Sequence, residues 1–487
     1  MRDMTEPLSI VGRQGERQEL DLALKSSVAE LIAVYGRRQV GKTFLIRQHF
    51  HDHLVFDSTG LHDGNLARQL TNFHTSLKIA FPKLTMLPPK SWLEAFELLR
   101  VALERHTSKR RSKRVLFFDE FPWMETRGSG FMAAFEAFWD QYASQRQNLI
   151  VVVCGSAAAW MVQRVIRAKG GLHNRLTRRL RLMPFCLGET YEFLRSRGIQ
   201  LDAFQVAQIY LAIGGIPHYL NHIRPGKSAA QNIDSLCFRT TGMLREEYDS
   251  LLTALFDRDS MHQSIVKVLA TSWQGLIRDE LIKKAKLTSG GRVTQALEDL
   301  VLSGFVQETA SWNKKSKETV YRLIDDFSVF YWSWMHRADS DVRWMHIATG
   351  KRFENWCGYA FENICFKHLD QIKRSLGISG IQTGAGTWRY QSTGKEAGAQ
   401  IDLLIERADR CFNLVEAKFS LNRYVITKAY AAELESKIRV FRSKTKIDKP
   451  IFLTMITPHG IEPNQYSVGL SIDEITLEDL MNPIGRV

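Results

Sequence analysis

Apolar residues follow two rhythms along this chain, and the switching between them predicts its elements. Short unbroken apolar runs at 31–35, 54–56, 115–118 and 149–154 end in glycine or polar residues and read as strands buried on both faces, as in a parallel sheet. Helical spacing governs 93–103 and the stretch from Thr43 through Phe44 and Ile46 to Phe50. A further strand is expected at 180–185 and a helix at 204–213. Three short amphipathic helices follow at 261–269, 276–284 and 293–302, then strands at 305–306 and 320–323 around a polar loop. The last part predicts an aromatic helix at 330–334, a long helix at 353–369, strands at 399–405 and 411–418 joined by a turn at 406–410, a helix at 427–441 and a strand at 451–454.

The first run ends in Gly36-Arg37-Arg38-Gln39-Val40-Gly41-Lys42-Thr43, a glycine-bounded loop closed by Lys-Thr at the start of a helix. Glycines there let successive N–H groups face a nucleotide β-phosphate, Lys42 reaches the β and γ oxygens, and the Thr43 hydroxyl can ligate Mg²⁺. The run at 115–118 ends in Asp119 and Glu120. Asp119 is placed to hold Mg²⁺ through its water shell, and Glu120 to orient and deprotonate attacking water. Ser156, just past the run at 149–154, is a candidate sensor of the γ-phosphate. In the basic loop at 170–179, Arg175 is the first candidate and Arg178 the second for an arginine that reaches a neighbouring subunit's γ-phosphate; an arginine on a solvated strand edge explains either equally well.

The three helices at 261–302 with their two strands read as a winged helix. Its third helix presents Arg292, Thr294, Gln295 and Glu298 to a major groove, with Lys314, Lys315 and Lys317 of the hairpin on phosphates; a fold used only for packing and partner contact is the even alternative. In the tail, period-two alternation puts Glu416 and Lys418 on one strand face. With Asp402 on the adjacent strand, two carboxylates can share Mg²⁺ while the ammonium stabilises a pentacovalent phosphate.

Length and charge narrow the picture. At roughly 100–200 residues per domain, 487 residues make about three domains. A formal charge of +14 and a pI near 9.4 point to a polyanionic partner. The basic run Lys109-Arg110-Arg111-Ser112-Lys113-Arg114 reads first as a solvated turn and only secondarily as nucleic-acid contact. Six scattered cysteines without a CxxC pair read as reduced core residues. With neither an apolar leader nor a membrane-length run, the expectation is a soluble, cytoplasmic protein without a membrane partner.

The residues Val11-Gly12-Arg13, the loop at 36–43, Phe118-Asp119-Glu120, Cys154-Gly155-Ser156 and Gly214-Gly215-Ile216-Pro217 together resemble the archaeal-type AAA+ ATPases, related to the signal-transduction (STAND) NTPases. That resemblance implies a small helical lid opening at the Gly-Gly-x-Pro stretch; the loop and strand-end chemistry call for ATP and Mg²⁺ as cofactors, and an ATP site that needs an arginine from a neighbour makes a homo-oligomer the expectation. This chain has Leu172-His173-Asn174 where the family commonly shows an aromatic and a glycine ahead of the loop arginine. Asp402 with Glu416-x-Lys418 resembles the PD-(D/E)xK nucleases over 358–454; there Glu362 matches an added helical metal ligand, while Gln400 replaces a frequent acidic residue. The expected fold is multidomain α/β: a P-loop parallel-sheet ATPase core (1–185), a helical lid (186–257), a winged helix with connector (258–340) and a nuclease-like domain (341–487). The expected function is ATP-driven action on nucleic acid, DNA before RNA, with a Mg²⁺-dependent nuclease module. The rivals are a switch or scaffold that binds nucleic acid through a non-cutting nuclease fold, and an ATPase that regulates a partner protein.

Overall fold

The computed structural model describes residues 9–106, 112–167, 171–256, 260–310, 312, 319–338, 341–392 and 398–482. Lys109, Arg110 and Arg111 of the basic run, Gly170 of the basic loop, and Lys314, Lys315 and Lys317 of the hairpin lie outside the described residues. The chain divides into two units, Met1–Pro184 and Phe185–Val487.

In the first unit the apolar runs become β1 (Glu30–Tyr35), β2 (Leu54–Thr59), β3 (Arg114–Asp119), β4 (Leu149–Gly155) and β5 (Arg178–Arg181), all parallel in the order β2-β3-β4-β1-β5. β4 is buried throughout and β1 nearly so, which is why their sequences run apolar without alternation. Register then aligns the carboxyl ends: Tyr35 lies opposite Gly155, Phe118 opposite Val153 and Thr59 opposite Asp119. The residues just past those ends, Gly36, Glu120 and Ser156, are thereby brought to one edge. The expected strand at 180–185 instead begins at Arg178, because Thr177 anchors the entry by bonding both the N–H and C=O of Leu31. Helices Leu66–Ala80, Trp92–Arg105 and Phe131–Gln141 flank the sheet with an aromatic core; Phe118 meets Phe135 edge-on at 5.5 Å, and Phe96 stacks on Phe138 at 5.3 Å.

The second unit opens with helices Leu187–Ser196, Ala203–Ile213 and Pro217–Leu220. Gly214 takes φ 67° between them, and a Cβ on Gly215 would collide with the Phe185 carbonyl oxygen at 2.0 Å, so both positions demand glycine. Helices Ser260–Ala270, Arg278–Ala285 and Gly291–Leu302 follow with β6 (Leu276–Ile277), β7 (Val306–Ala310) and β8 (Thr319–Leu323), antiparallel in the order β6-β8-β7. The helix expected from residue 276 therefore starts two residues later, its first apolar pair spent on pairing with β8.

A mixed sheet closes the chain: β9 (Thr383–Tyr390), β10 (Ala399–Arg407), β11 (Phe412–Ala417), β12 (Ile451–Ile456) and β13 (Asp473–Ile475), ordered β13-β12-β11-β10-β9. β9, β10 and β11 are antiparallel, whereas β11, β12 and β13 are parallel. Helices Gly350–Lys367 and Lys428–Thr445 pack with it, the latter through Leu434 and Phe441. All six cysteines are free, and no described helix is long and apolar enough to cross a membrane.

Candidate functional site: a phosphate cradle and a buried carboxylate cluster

The loop after β1 has three positive φ angles within eight residues, at Gly36 (148°), Gln39 (66°) and Gly41 (91°). Such alternation turns backbone N–H groups into one concavity, and the helix Lys42–His49 starts at its edge. Leu182 leaves no room for a Cβ on Gly36, its carbonyl oxygen lying 2.1 Å from that position. Lys42 is buried, and its ammonium donates to the carbonyls of Gly36 (3.0 Å) and Arg37 (2.8 Å). Burial lowers its pKa, partly offset by Cys154, Glu120 and Asp119. A buried cation resting on loop carbonyls is poised to exchange those weak partners for phosphate oxygens. Arg37 is buried beside it, Arg38 is exposed, and Val40 accepts a 3.0 Å hydrogen bond from the buried Arg13.

The second half of the cradle is equally specific. Thr43 Oγ1 donates to Asp119 Oδ2 at 2.7 Å, so the hydroxyl and carboxylate that Mg²⁺ requires already face each other. Glu120 occupies the left-handed region (φ 44°), an unusual conformation for a side-chain-bearing residue and one that recurs at functional sites. Its Oε2 accepts from the Ser156 amide (3.2 Å) and hydroxyl (2.8 Å). Ser156 therefore grips the candidate base directly. Arg175 is held as a two-pronged pair by Asp140, with both N–O distances 2.7 Å, and Arg178 pairs with Glu19 at 2.5 Å. Both arginine candidates are thus engaged within their own unit, by acids the sequence pattern did not single out.

In the second unit, β10, β11 and the helix Gly350–Lys367 bring Asp402, Glu416 and Glu362 within range of one another's charge. Glu416 is fully buried; its Oε2 accepts from Lys437 (2.8 Å) and Tyr430 (3.4 Å), while its Oε1 has no hydrogen-bond partner. Burial first, and the Asp402 charge second, push the Glu416 and Glu362 carboxyls above their ordinary range. Lys418 also acts on both carboxylates and lies over the Tyr430 ring at 5.2 Å. Gln400 is registered opposite Arg389 of β9. Glu362 has a neighbour the sequence reading missed: Arg322 of β8, buried, with Nη1 3.9 Å from Glu362 Oε2. Among the described residues no group of three His, Cys, Asp or Glu side chains is arranged to hold one metal ion. Asp402 and Glu416 alone suit Mg²⁺, which takes one or two carboxylates and completes its shell with water and phosphate oxygens. The partnerless Glu416 Oε1 is the oxygen such a cation would satisfy.

Parallel sheet, phosphate cradle and the Asp119–Glu120 strand end define the first unit as a P-loop ATPase fold. Residues 10–223 match a family described as an ATPase domain predominantly from Archaea, so the chain carries a nucleotide-binding ATPase domain whose match continues through the Gly214–Pro217 stretch. The chain is 22% identical over 421 residues to the uncharacterized protein MJECL04 of Methanocaldococcus jannaschii, covering 84% of this chain and 87% of that one. The Walker-type ATPase PABY2304 of Pyrococcus abyssi shares the fold with a TM-score of 0.50 at 18% identity, over 68% of this chain and 98% of that one. The ORC2 protein of Aeropyrum pernix, in ADPNP and ADP complexes, aligns with a TM-score of 0.43 at 13% identity, over 75% of this chain and 98% of that one.

Proposed function

We propose that this protein hydrolyses ATP in a homo-oligomer and acts on nucleic acid, DNA before RNA, with residues 341–487 forming a PD-(D/E)xK nuclease-like module and 258–340 a winged helix. In the ATPase unit, the loop amides from Gly36 to Thr43 and the Lys42 ammonium hold the β and γ phosphates. Mg²⁺, when bound through Thr43 and Asp119, supplies positive charge to the phosphate oxygens. Glu120 takes the proton of the attacking water as its oxygen bonds the γ-phosphorus and the bond to the β-phosphate oxygen breaks, leaving ADP and phosphate. Ser156, donating to Glu120 Oε2 from both its amide and its hydroxyl, restrains the base until the nucleotide is seated. Arg175, once released from Asp140, is the first candidate to complete a neighbour's site.

One observation carries the nuclease reading: a fully buried glutamate, Glu416, keeps one oxygen without a partner beside Asp402 and Lys418. An unsatisfied buried carboxylate oxygen is costly and marks a place for a cation. A second reading, a nuclease-like fold that binds without cutting, is favoured by Lys437 already bonding Glu416 and by Gln400 at a position suited to an acid. Cleavage of plasmid and single-stranded DNA in Mg²⁺ or Mn²⁺, with and without ATP, separates them. Asp402→Ala should lower the rate by about 10²–10³, leaving ATP hydrolysis without DNA unchanged. Equal cleavage by parent and variant would refute the nuclease site, whereas metal-dependent binding without cleavage by the parent would establish the second reading.

A further inference from the structure

The carboxylate cluster is bordered by residues from an earlier part of the same unit. Arg322 of β8 is only 3% exposed, and its guanidinium lies over the Phe366 ring at 4.4 Å, one helical turn beyond Glu362. Nη2 donates to the Gln274 carbonyl at 3.5 Å, whereas Nη1 has no hydrogen-bond partner and stands 3.9 Å from Glu362 Oε2. Glu362 and Asp402 are the carboxylates whose charge acts on it. The same Gln274 uses its side-chain oxygen to hold Arg389 of β9 at 3.2 Å, opposite Gln400. Trp273 fixes this turn by packing on Tyr359, three residues before Glu362, with ring centroids 4.2 Å apart. The segment at 260–323 is thus fastened to the helix and strands that carry the cluster. Trp312 adds a second fastening, its indole donating to Glu406 at 2.9 Å.

Two buried atoms of this unit thus lack hydrogen-bond partners, an acceptor, Glu416 Oε1, and a donor, Arg322 Nη1, and Asp402 is the carboxylate whose charge acts on both residues. A cation alone satisfies the first and repels the second. A phosphate group bound to a divalent cation satisfies both, because the cation meets the carboxylate while a phosphate oxygen meets the guanidinium. We propose that the C-terminal cluster is half of a composite site for a metal-bound backbone phosphate of nucleic acid, and that the 260–323 segment completes it by supplying Arg322 and holding Arg389 through Gln274. This rests on the C-terminal metal-site reading above. It adds a phosphate-binding role for two arginines and explains why a helix–hairpin segment is fastened to this sheet. Arg389, exposed on β9, meets the adjoining stretch of backbone.

The test uses the full chain and a short DNA duplex, with Ca²⁺ in place of Mg²⁺ because it takes the same oxygen ligands. Arg322→Met keeps the bulk over Phe366 and should weaken Ca²⁺-dependent duplex binding by about ten- to a hundredfold. Arg389→Ala should weaken it less, and each should lower the salt slope by about one. Inorganic phosphate is the second probe. A loss confined to duplex supports a backbone phosphate; an equal loss for inorganic phosphate supports the same ligands with free phosphate as their source. Parental Ca²⁺-dependent affinity in both variants overturns the inference while leaving the metal site intact. Absence of Ca²⁺-dependent binding in the parent overturns both. A parent that binds through Arg322 and Arg389 yet does not cleave in Mg²⁺ sustains the composite site and removes only the cleavage activity. Should Arg322→Met fail to fold by thermal melt, the exposed Arg389→Ala decides alone, and an unchanged salt slope there overturns the inference.

Discussion

His368 should set an acid limit on the second unit. The ring is fully buried just past the helix that carries Glu362, and both nitrogens are spoken for: Nε2 accepts from the Leu187 amide at 2.8 Å and Nδ1 donates to the Ile364 carbonyl at 2.7 Å. Only neutral imidazole with its proton on Nδ1 can do this. A second proton would set N–H against N–H at Leu187. Burial, partly offset by the Ile364 hydrogen bond, accordingly pulls the pKa down to about 4 from 6.5. The unfolded chain takes up its proton near 6.5 and the folded chain only near 4, so stability is intact above 6.5 and falls as pH drops through that window. At about 1.36 kcal/mol per pKa unit, the loss reaches about 2 kcal/mol at pH 5 and about 3 kcal/mol once pH is below 4.

The perturbation is His368→Gln, which keeps an acceptor for Leu187 without titrating. Urea unfolding followed by tryptophan fluorescence at pH 7.5 and pH 5.0 should show the variant less stable at the higher pH, by about 1–2 kcal/mol of imperfect packing. That gap should then close or reverse at pH 5.0, by about 2 kcal/mol. Glu362 and Glu416 titrate in the opposite sense: with raised folded pKa values, their contribution is present at low pH and lost as pH rises. Comparing parent with variant cancels them. A gap that stays the same at both pH values would show that His368 does not titrate across the unfolding transition.

Other predictions concern the ATPase unit. Lys42→Ala should abolish ATP binding in a fluorescent-nucleotide titration, whereas Glu120→Gln should bind ATP and stop turnover; parental hydrolysis by Glu120→Gln would discard it as the base. Ser156→Ala frees Glu120 from both its hydroxyl hydrogen bond and the restraint argued above, and should change kcat while leaving nucleotide affinity within about threefold. Mixing Arg175→Ala with Lys42→Ala subunits should restore part of the ATPase activity; the absence of rescue at any ratio would mean a site completed within one chain.

What could be read beforehand depended on how local each signal is. The phosphate loop needs only eight consecutive residues, and Asp119–Glu120 needs only an apolar strand before it, so both were visible from spacing. Glu416 and Lys418 follow from strand alternation, and Asp402 from the neighbouring run. By contrast, β9 (Thr383–Tyr390) is rich in glycine and threonine and has no apolar rhythm, so its pairing with β10 emerges only once β10 offers an edge. Asp140 reaches Arg175 from a helix 35 residues earlier, with no pattern to link them.

Arg322 is the more instructive omission, because it did carry a faint mark: an arginine beside Leu323 in a short, otherwise ordinary hairpin strand. A solvated strand face accounts for such a residue most of the time. The structure instead buries it against Phe366, facing two carboxylates from a stretch of chain that begins 40 residues later with Glu362. Burying a guanidinium is costly unless opposite charge meets it, and one carboxylate at 3.9 Å meets it incompletely. A cation retained at that cost, with one N–H lacking a hydrogen-bond partner in the unit that also leaves a buried carboxylate oxygen without one, is better explained by a ligand that carries both signs than by packing. If packing were its only task, Arg322→Met should leave phosphate binding untouched and match or exceed the parent in stability, as replacement of a buried ion pair by apolar groups often does. The composite site requires the opposite in the first measurement whatever the second shows, so the pair of measurements separates a residue kept for the fold from one kept for a phosphate.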